Sequence, residues 1–285
     1  MRKTSNRSLP RLFRFAVLFS IPHAALPQSE TLAIKPTQTI HLFDGRNLDA
    51  FESWLVDLKH TDPDRVFSVV DRIDGAPAIR VSGQHWGGLI TKQRYRDYRL
   101  VLEYRWGPAS WGNRRDRARD NGILLHCQGR PGNSTKDFNG PWMRSVEFQI
   151  IEGGVGDIIL VGGYDDKGEL RRPSLKAKTR KDRNGRNAFD PNGQEGLHSA
   201  QHVNWWGRSE DWVDKLGFRG ASDPDSPGQE WTRLEAIVDG GHLAYYVNGK
   251  LVNEGTECSL QEGRLLFQSE GAEIYFRRID LEPLK

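Results

Sequence analysis

Short alternating runs, cut every few residues by turn formers, dominate this chain, and they leave almost no room for helices. Runs such as Tyr98–Trp106, Ser145–Ile151, Thr232–Asp239 and Glu273–Leu281 are rich in β-branched and aromatic residues and bounded by Gly, Asp, Asn or Pro. That is the signature of strands rather than helices. Further strands are expected at Phe67–Val70, Ala78–Val81, Gly88–Thr91, Gly122–Cys127, Asp157–Val161, His242–Val247, Lys250–Glu254 and Gly263–Ser269. Asp239-Gly240-Gly241 and Asn248-Gly249 read as hairpin turns, because Gly and Asn tolerate positive φ. Regularly spaced strands with turn signals predict an all-β sandwich or barrel. No repeat period and no interdomain linker stand out, so a single large domain over 38–285 is expected. Within it, 162–229 is long, charged and rich in Gly, Pro and Asp, and reads as a loop-rich insertion over one face, partly ordered by its aromatics.

The first 28 residues have the layout of a signal peptide. Arg2, Lys3, Arg7, Arg11 and Arg14 precede the apolar run Phe15–Ile21, and no acid occurs before Glu30. A secreted or periplasmic location is expected, although an Arg- and Ser-containing start without acids also suits an organelle transit peptide. The apolar run is far shorter than the ~20 residues of a membrane span. The full chain carries 41 basic and 38 acidic side chains, a net charge of +3. Setting aside the five leader basics leaves 36 against 38, or −2. A near-neutral remainder gives no reason to expect nucleic acid as a partner. The basic runs Arg114–Arg119 and Lys176–Arg186 also contain Asp, and read as solvated loops. The two cysteines, Cys127 and Cys258, are compatible with a disulfide or with two buried thiols. Nine tryptophans fit sugar stacking as well as an ordinary core.

Strand alternation nominates the residues that could carry chemistry. In Ser145–Ile150, Glu147 and Gln149 share one face, and Val146, Phe148 and Ile150 take the other, expected to be the inter-sheet core. In Tyr98–Trp106, Glu103 and Arg105 lie opposite Leu100, Leu102 and Tyr104. In Asn121–Cys127, alternation puts Leu124 and His126 on one side and Ile123, Leu125 and Cys127 on the other. If these strands are neighbours, Glu103, His126, Glu147 and Gln149 line one surface. The competing reading is a solvated sheet face with Glu–Arg cross-strand pairs, and a structural role for His126. No metal-binding spacing, Gly-x-Ser-x-Gly elbow or phosphate-binding glycine loop occurs.

Several segments together resemble the 3-keto-disaccharide hydrolase domain family. They are Leu42-Phe43-Asp44-Gly45-Arg46-Asn47-Leu48 with Trp54, Gly87–Thr91 before Tyr95-Arg96-Asp97-Tyr98, Asn121-Gly122-Ile123, and Glu147–Gly154. Glu230-Trp231, Val247-Asn248-Gly249 and Leu266–Ile279 continue the match in order. Two departures are visible: the Ser of the family's Asn-Ser-Gly-Ile is missing, and Arg278 replaces the Asn of Phe-Arg-Asn-Ile. The resemblance implies a concanavalin A-like jelly-roll sandwich of two antiparallel sheets, with sugar bound on one sheet. It also implies cleavage of a glycoside oxidised at C3, by elimination and hydration. On that reading Glu147 and His126 are the proton-transfer candidates. Asn121, Gln149, Glu103, Gln268, Glu270 and Arg277 are substrate contacts, and Trp205 or Trp206 offers a stacking face. A divalent cation would polarise the ketone, but no residue cluster demands one. Two rival readings remain, a conventional two-carboxylate glycosidase and a non-catalytic lectin-like module.

Overall fold

A computed structural model describes residues 32–285, and the expected signal peptide lies outside them. Among the described residues there are twenty strands and a single 3₁₀ turn. In chain order the strands are β1 (Ile40–His41), β2 (Phe51–Leu55), β3 (Phe67–Ile73), β4 (Ala76–Val81), β5 (Gly87–Thr91), β6 (Tyr98–Ser110), β7 (Asp120–Gln128), β8 (Arg144–Ile151), β9 (Ile158–Val161) and β10 (Gly163–Tyr164). They continue with β11 (Leu170–Arg171), β12 (Ser174–Lys181), β13 (Asn187–Phe189), β14 (Gln194–Ser199), β15 (His202–Val203), β16 (Thr232–Asp239), β17 (His242–Val247), β18 (Lys250–Gly255), β19 (Arg264–Ser269) and β20 (Ala272–Pro283). All twelve strands expected from alternation are present, most of them a residue or more longer.

Two antiparallel sheets form the jelly-roll sandwich. One runs β18-β17-β16-β6-β20-β4-β3, with β1 on β20 beyond the stretch that β4 covers. The other runs β15-β9-β8-β7-β19-β5-β2. Hairpin neighbours such as β7–β8, β8–β9, β16–β17 and β17–β18 pair directly, while β6 sits between β16 and β20, β7 pairs with β19, and β19 and β20 join different sheets. Asn248 and Gly249 have φ of 49° and 78°, the left-handed pair that a two-residue hairpin between β17 and β18 requires.

Alternation decides what each sheet buries. Leu100, Leu102, Tyr104 and Trp106 of β6, with Leu243, Tyr245 and Val247 of β17, meet Ile123 and Leu125 of β7, Val146, Phe148 and Ile150 of β8 and Phe267 of β19 in one inter-sheet core. Phe148 and Tyr245 stack face to face across it, with ring centroids 4.2 Å apart and planes 2° apart. A second, smaller apolar cluster lies on the outer face of the seven-stranded sheet, formed by Trp54, Ile90, Leu124, Cys127, Met143 and Leu266 with Trp142 against it.

The segment 162–229 carries more regular structure than its composition suggests. β12 pairs with both β13 and β14 in a three-stranded sheet, β10 and β11 form a hairpin, and β15 adds to the edge of the seven-stranded sheet. Arg208 pairs with buried Asp157, and Trp205 N–H donates to the same carboxylate at 2.7 Å. From Trp206 to Trp231 there is no strand, and this stretch is held by side chains. Trp212 Nε1 donates to Glu152 O at 2.8 Å, and Gly217 N–H to Glu152 Oε2 at 2.8 Å. Cys127 and Cys258 are both buried free thiols in different clusters, Cys127 in the outer one and Cys258 in the inter-sheet core.

Truncating Phe148 to Ala removes the inter-sheet stack and leaves a cavity, which should cost about 3–5 kcal/mol of stability. Urea denaturation of the variant measures this, and a loss under ~1 kcal/mol would contradict the role given to the stack.

Candidate active site

The outer face of the seven-stranded sheet is built on rungs of paired residues. One rung reads Glu147–Leu124–Leu266–Ile90–Glu52 across β8, β7, β19, β5 and β2. Toward the start of β7, Gln149 pairs with Gly122, and Gln268 with Gly88 and so with Trp54. Gly122 is what lets these side chains meet. A Cβ there would collide with Glu147 Oε1 and would sit 2.7 Å from Gln268 Oε1. The Glu147 carboxylate therefore leans diagonally from its own rung into the space above Gly122, alongside the Gln268 amide. Gln149 Oε1 accepts the Ile150 N–H at 2.9 Å, which leaves its NH₂ to donate elsewhere.

Beyond this pair lies a charged end. Arg114 reaches the carboxylates of both Asp120, the first residue of β7, and Glu270, just after β19 (3.2 Å to the latter). Its other nitrogen reaches Asp214 at 3.4 Å. Asp120 and Glu270 thus share one guanidinium with little solvent, and Glu147 lies near enough to feel both carboxyls without a cation of its own. Burial pushes Glu147 well above the ordinary carboxylate range, and Glu270 and Asp120 push it further, against the Gln268 amide, which favours the charged form. Burial likewise raises Asp120 and Glu270, each a like charge to other carboxylates nearby, while Arg114 opposes the rise in both. Arg114, helped at Asp120 by Arg208, does not offset the burial of Asp120 and Glu270, and Glu147 has no cation at all, so protons are retained near neutral pH. Over the same face, Trp86, which precedes β5 at its Ser269 end, and Trp142, which precedes β8, have ring centroids 6.0 Å apart and are both partly exposed. Trp54 Nε1 ties the 129–143 loop down through Gly140 O at 2.9 Å. Among the described residues, no group of three or more His, Cys, Asp and Glu side chains is arranged to hold a metal ion.

The structure brings together Glu147, Gln149, Gln268 and Glu270 and places the other expected residues elsewhere. His126 is the clearest correction. A bulge in the β7–β8 pairing between Leu125 and Gln128 puts His126 at φ 56°, which turns its ring inward and Cys127 outward. The ring is fully buried edge-on to Tyr98, and its Nδ1 is 2.9 Å from Leu260 O. Burial lowers its pKa to about 4. Asn121 shares the inward face with Ile123 and Leu125, and its Nδ2 donates to Gln268 O at 2.6 Å. Glu103 and Arg277 belong to the other sheet, where they pair with each other at 2.5 Å, and Arg277 lies over Trp231 at 3.9 Å. Trp205 is a core residue at 0% exposure, and Trp206 donates to Leu251 O under Lys250.

Sequence reasoning missed Asp120, Gly122 and Arg114. Counting back by twos from Leu124 reaches Gly122 and then Asp120, so alternation held that signal. Arg114 sits in a run read as solvated loop, and only the tertiary approach of β19 reveals its partners.

The match to a family model decides the relationship, since it spans residues 38–282. The chain belongs to the 3-keto-alpha-glucoside-1,2-lyase-like domain family. Membership supports a carbohydrate-active hydrolase in general terms. No curated protein matches the sequence. Among solved structures, a candidate glycosyl hydrolase from Parabacteroides distasonis is 15% identical, with a TM-score of 0.48 over 87% of this chain and 94% of that one. A β-glucanase from Bacillus licheniformis is 9% identical, with a TM-score of 0.40 over 87% and 99%. The carbohydrate-binding module CBM66 from Bacillus subtilis is 11% identical, with a TM-score of 0.37 over 76% and 91%.

Two measurements check this geometry. Replacing Gly122 by Ala should dislodge Glu147 while leaving the melting temperature within a few degrees, because the colliding atom ends a flexible side chain. In a working enzyme such a shift should cost on the order of 10²-fold in kcat. Wild-type kcat in a folded Gly122→Ala protein would show that Glu147 is not held there for catalysis. The His126 ring should titrate near pH 4 by NMR. Its folded pKa lies below the unfolded value of ~6.5, so its contribution to stability is complete above ~6.5 and is lost as pH falls toward 4. A midpoint near 6.5 would mean that the ring is in solvent.

Proposed function

We propose that this protein cleaves the glycosidic bond of a neutral glycoside already oxidised at C3, by elimination followed by addition of water. The observation that carries the proposal is Glu147 beside the Asp120 and Glu270 carboxyls that share Arg114. The cluster supplies both protonated and ionised carboxyls within one site. A 3-keto group acidifies the neighbouring C2 proton. A base removes that proton, the electron pair forms the C2=C3 enolate, and its collapse expels the C1 oxygen, which takes a proton from an acid. Water then adds to the resulting alkene to complete a net hydrolysis.

Glu147, held protonated by burial, is the acid for the departing oxygen. The Asp120–Glu270 pair, kept part-ionised by Arg114, is the base. The NH₂ of Gln149 and the Gln268 amide stand where a developing C3 enolate oxygen needs donors. Trp86 and Trp142 offer a face for the sugar ring. Glu147 is only 4% exposed, so an entering sugar displaces at least one side chain above Gly122. Export of the chain fits the leader-like first 28 residues and is proposed on that ground alone.

A conventional glycosidase is the second reading. The carboxyls beside Glu147 supply the second carboxylate that an oxocarbenium mechanism needs. Matched glycosides, native and 3-oxidised, separate the two when products are followed by mass spectrometry. Cleavage restricted to the oxidised partner supports the elimination route. Cleavage of native glycosides supports the conventional one, and binding without cleavage of either leaves a lectin-like module. Glu147→Gln should lose about 10²–10⁴-fold in turnover on the active substrate with binding largely kept.

The pH profile of kcat/KM is a further check. The base must be ionised and Glu147 protonated, so activity rises as the Asp120–Glu270 pair loses a proton and falls as Glu147 loses its own. All three groups are raised, so both limbs lie above the ordinary carboxylate range. A rising limb centred near pH 4 would indicate ordinary exposed carboxylates and contradict the assignment.

A further inference from the structure

The strand-free stretch 206–231 brings a fourth carboxylate, Asp214, to the charged end of the candidate site. The stretch has anchors on both sides of that residue. Glu152 takes the Trp212 Nε1–H on its backbone oxygen and the Gly217 N–H on its carboxylate, and Leu216 N–H donates to Asp116 O at 3.1 Å. The Asp214 carboxylate itself is turned toward the loop between β6 and β7. Its Oδ1 accepts the Ala118 N–H at 3.1 Å and faces Arg114 Nη1 at 3.4 Å, and its Oδ2 faces Arg117 at 3.5 Å. The Arg114 stem lies on Gly271, where a Cβ would come within 2.8 Å of Cγ, so the guanidinium turns on a fixed root. A guanidinium is a planar fork, and two carboxylates beside it can each take one arm. Here they do not. Nη1 faces Asp214, and Nη2 alone meets both Asp120 and Glu270.

We propose that Asp214 is a positioning residue of the candidate site, which engages Arg114 Nη1 and so leaves the Asp120 and Glu270 carboxyls to share Nη2 in the geometry of a proton-accepting pair. The proposal rests on the reading of that pair as the base. The charges around the pair act in the same direction. Burial is the main cause that raises Asp120, Arg114 opposes it, and Asp214 adds to the rise as a like charge, against Arg208. Arg208 is bound to Asp157 and stays in place when Asp214 is changed. Glu270 faces Asp120 and Arg114, and Glu147 faces both carboxyls of the pair. A carboxyl raised toward the working pH is a stronger proton acceptor than an ordinary one, which suits removal of a carbon-bound proton.

The test is a carbon-13 NMR titration of the side-chain carboxyls in the full-length protein. Asp120 and Glu270 are assigned by the signals lost in Asp120→Asn and Glu270→Gln. Asp214→Asn keeps an oxygen for the Ala118 N–H and removes the charge that draws Nη1 away. The pair should then lose its proton about one pH unit lower, a roughly tenfold fall in proton affinity. Asp214→Glu, which keeps the charge, should restore the wild-type titration, whereas a purely structural role would move neither. On a substrate that the wild type cleaves, kcat should fall in Asp214→Asn and the rising limb of kcat/KM should move down with the NMR titration. A titration that stays put or moves up in folded Asp214→Asn overturns the proposal. A titration that moves down while the limb stays supports the Arg114 geometry and shows that the pair is not the base. Should Asp214→Asn not fold, a crystal structure of the wild-type protein decides. Both carboxyls on Nη2 with Nη1 on Asp214 supports the proposal, and one arm on each carboxyl refutes it.

Discussion

The stacking of Phe148 on Tyr245 is the contact on which the candidate site depends. A strand has two faces, and committing Phe148, with Val146 and Ile150, to the inter-sheet core commits Glu147 and Gln149 to the other side. A slip of one residue in β8 would bury two polar side chains between the sheets and expose three large apolar ones. The apolar packing of one face therefore holds the polar geometry of the other in register. The Glu147–Leu124–Leu266–Ile90 rung then carries that register across four strands.

Having been placed by packing, the carboxyls are tuned by the lack of charge to match them. Arg114 is shared among Asp120, Glu270 and Asp214, and Glu147 receives only an amide. A structural ion-pair network tends to match its charges, as Arg119 and Glu152 do a few residues away. The excess of carboxyl over guanidinium at the head of β7 keeps protons bound there, at a cost in stability that the surrounding core must offset. The glycine at position 122 belongs to the same arrangement, since a strand favours larger side chains, and here the missing Cβ is the space in which two polar groups meet.

The strands and the two-sheet architecture were legible because alternation and turn residues are local signals. Thr232–Asp239 and His242–Val247 have the same bounds in sequence and structure. Glu147 and Gln149 were legible for the same reason. His126 was not, because alternation assumes an unbroken ladder and the bulge at Leu125–Gln128 reverses the faces of the residues after it. Asn121 was drawn to the site by its place in a family motif, although parity with Ile123 and Leu125 sets it inside. Glu103 and Arg277 lie on the other sheet, a matter of strand order that periodicity does not encode. Trp205 and Trp206 show why tryptophan content is a weak guide, since both serve packing while Trp86 and Trp142 flank the candidate site. The strands within 162–229 were obscured by composition, since β12 alternates Leu175 and Ala177 with Lys and Arg, and β14 carries Gln, Glu, Gly and His with little apolar content.

The bulge that turns His126 inward also decides the fate of the thiols. By reversing the last residues of β7 it sends Cys127 to the outer apolar cluster, while Cys258 packs between the sheets. One layer of sheet then separates two sulfurs that a sequence count invites one to join. The described fold therefore carries no covalent crosslink between them. In the folded chain each thiol is shut away from solvent and from the other, so a crosslink between them would require the sandwich to open first.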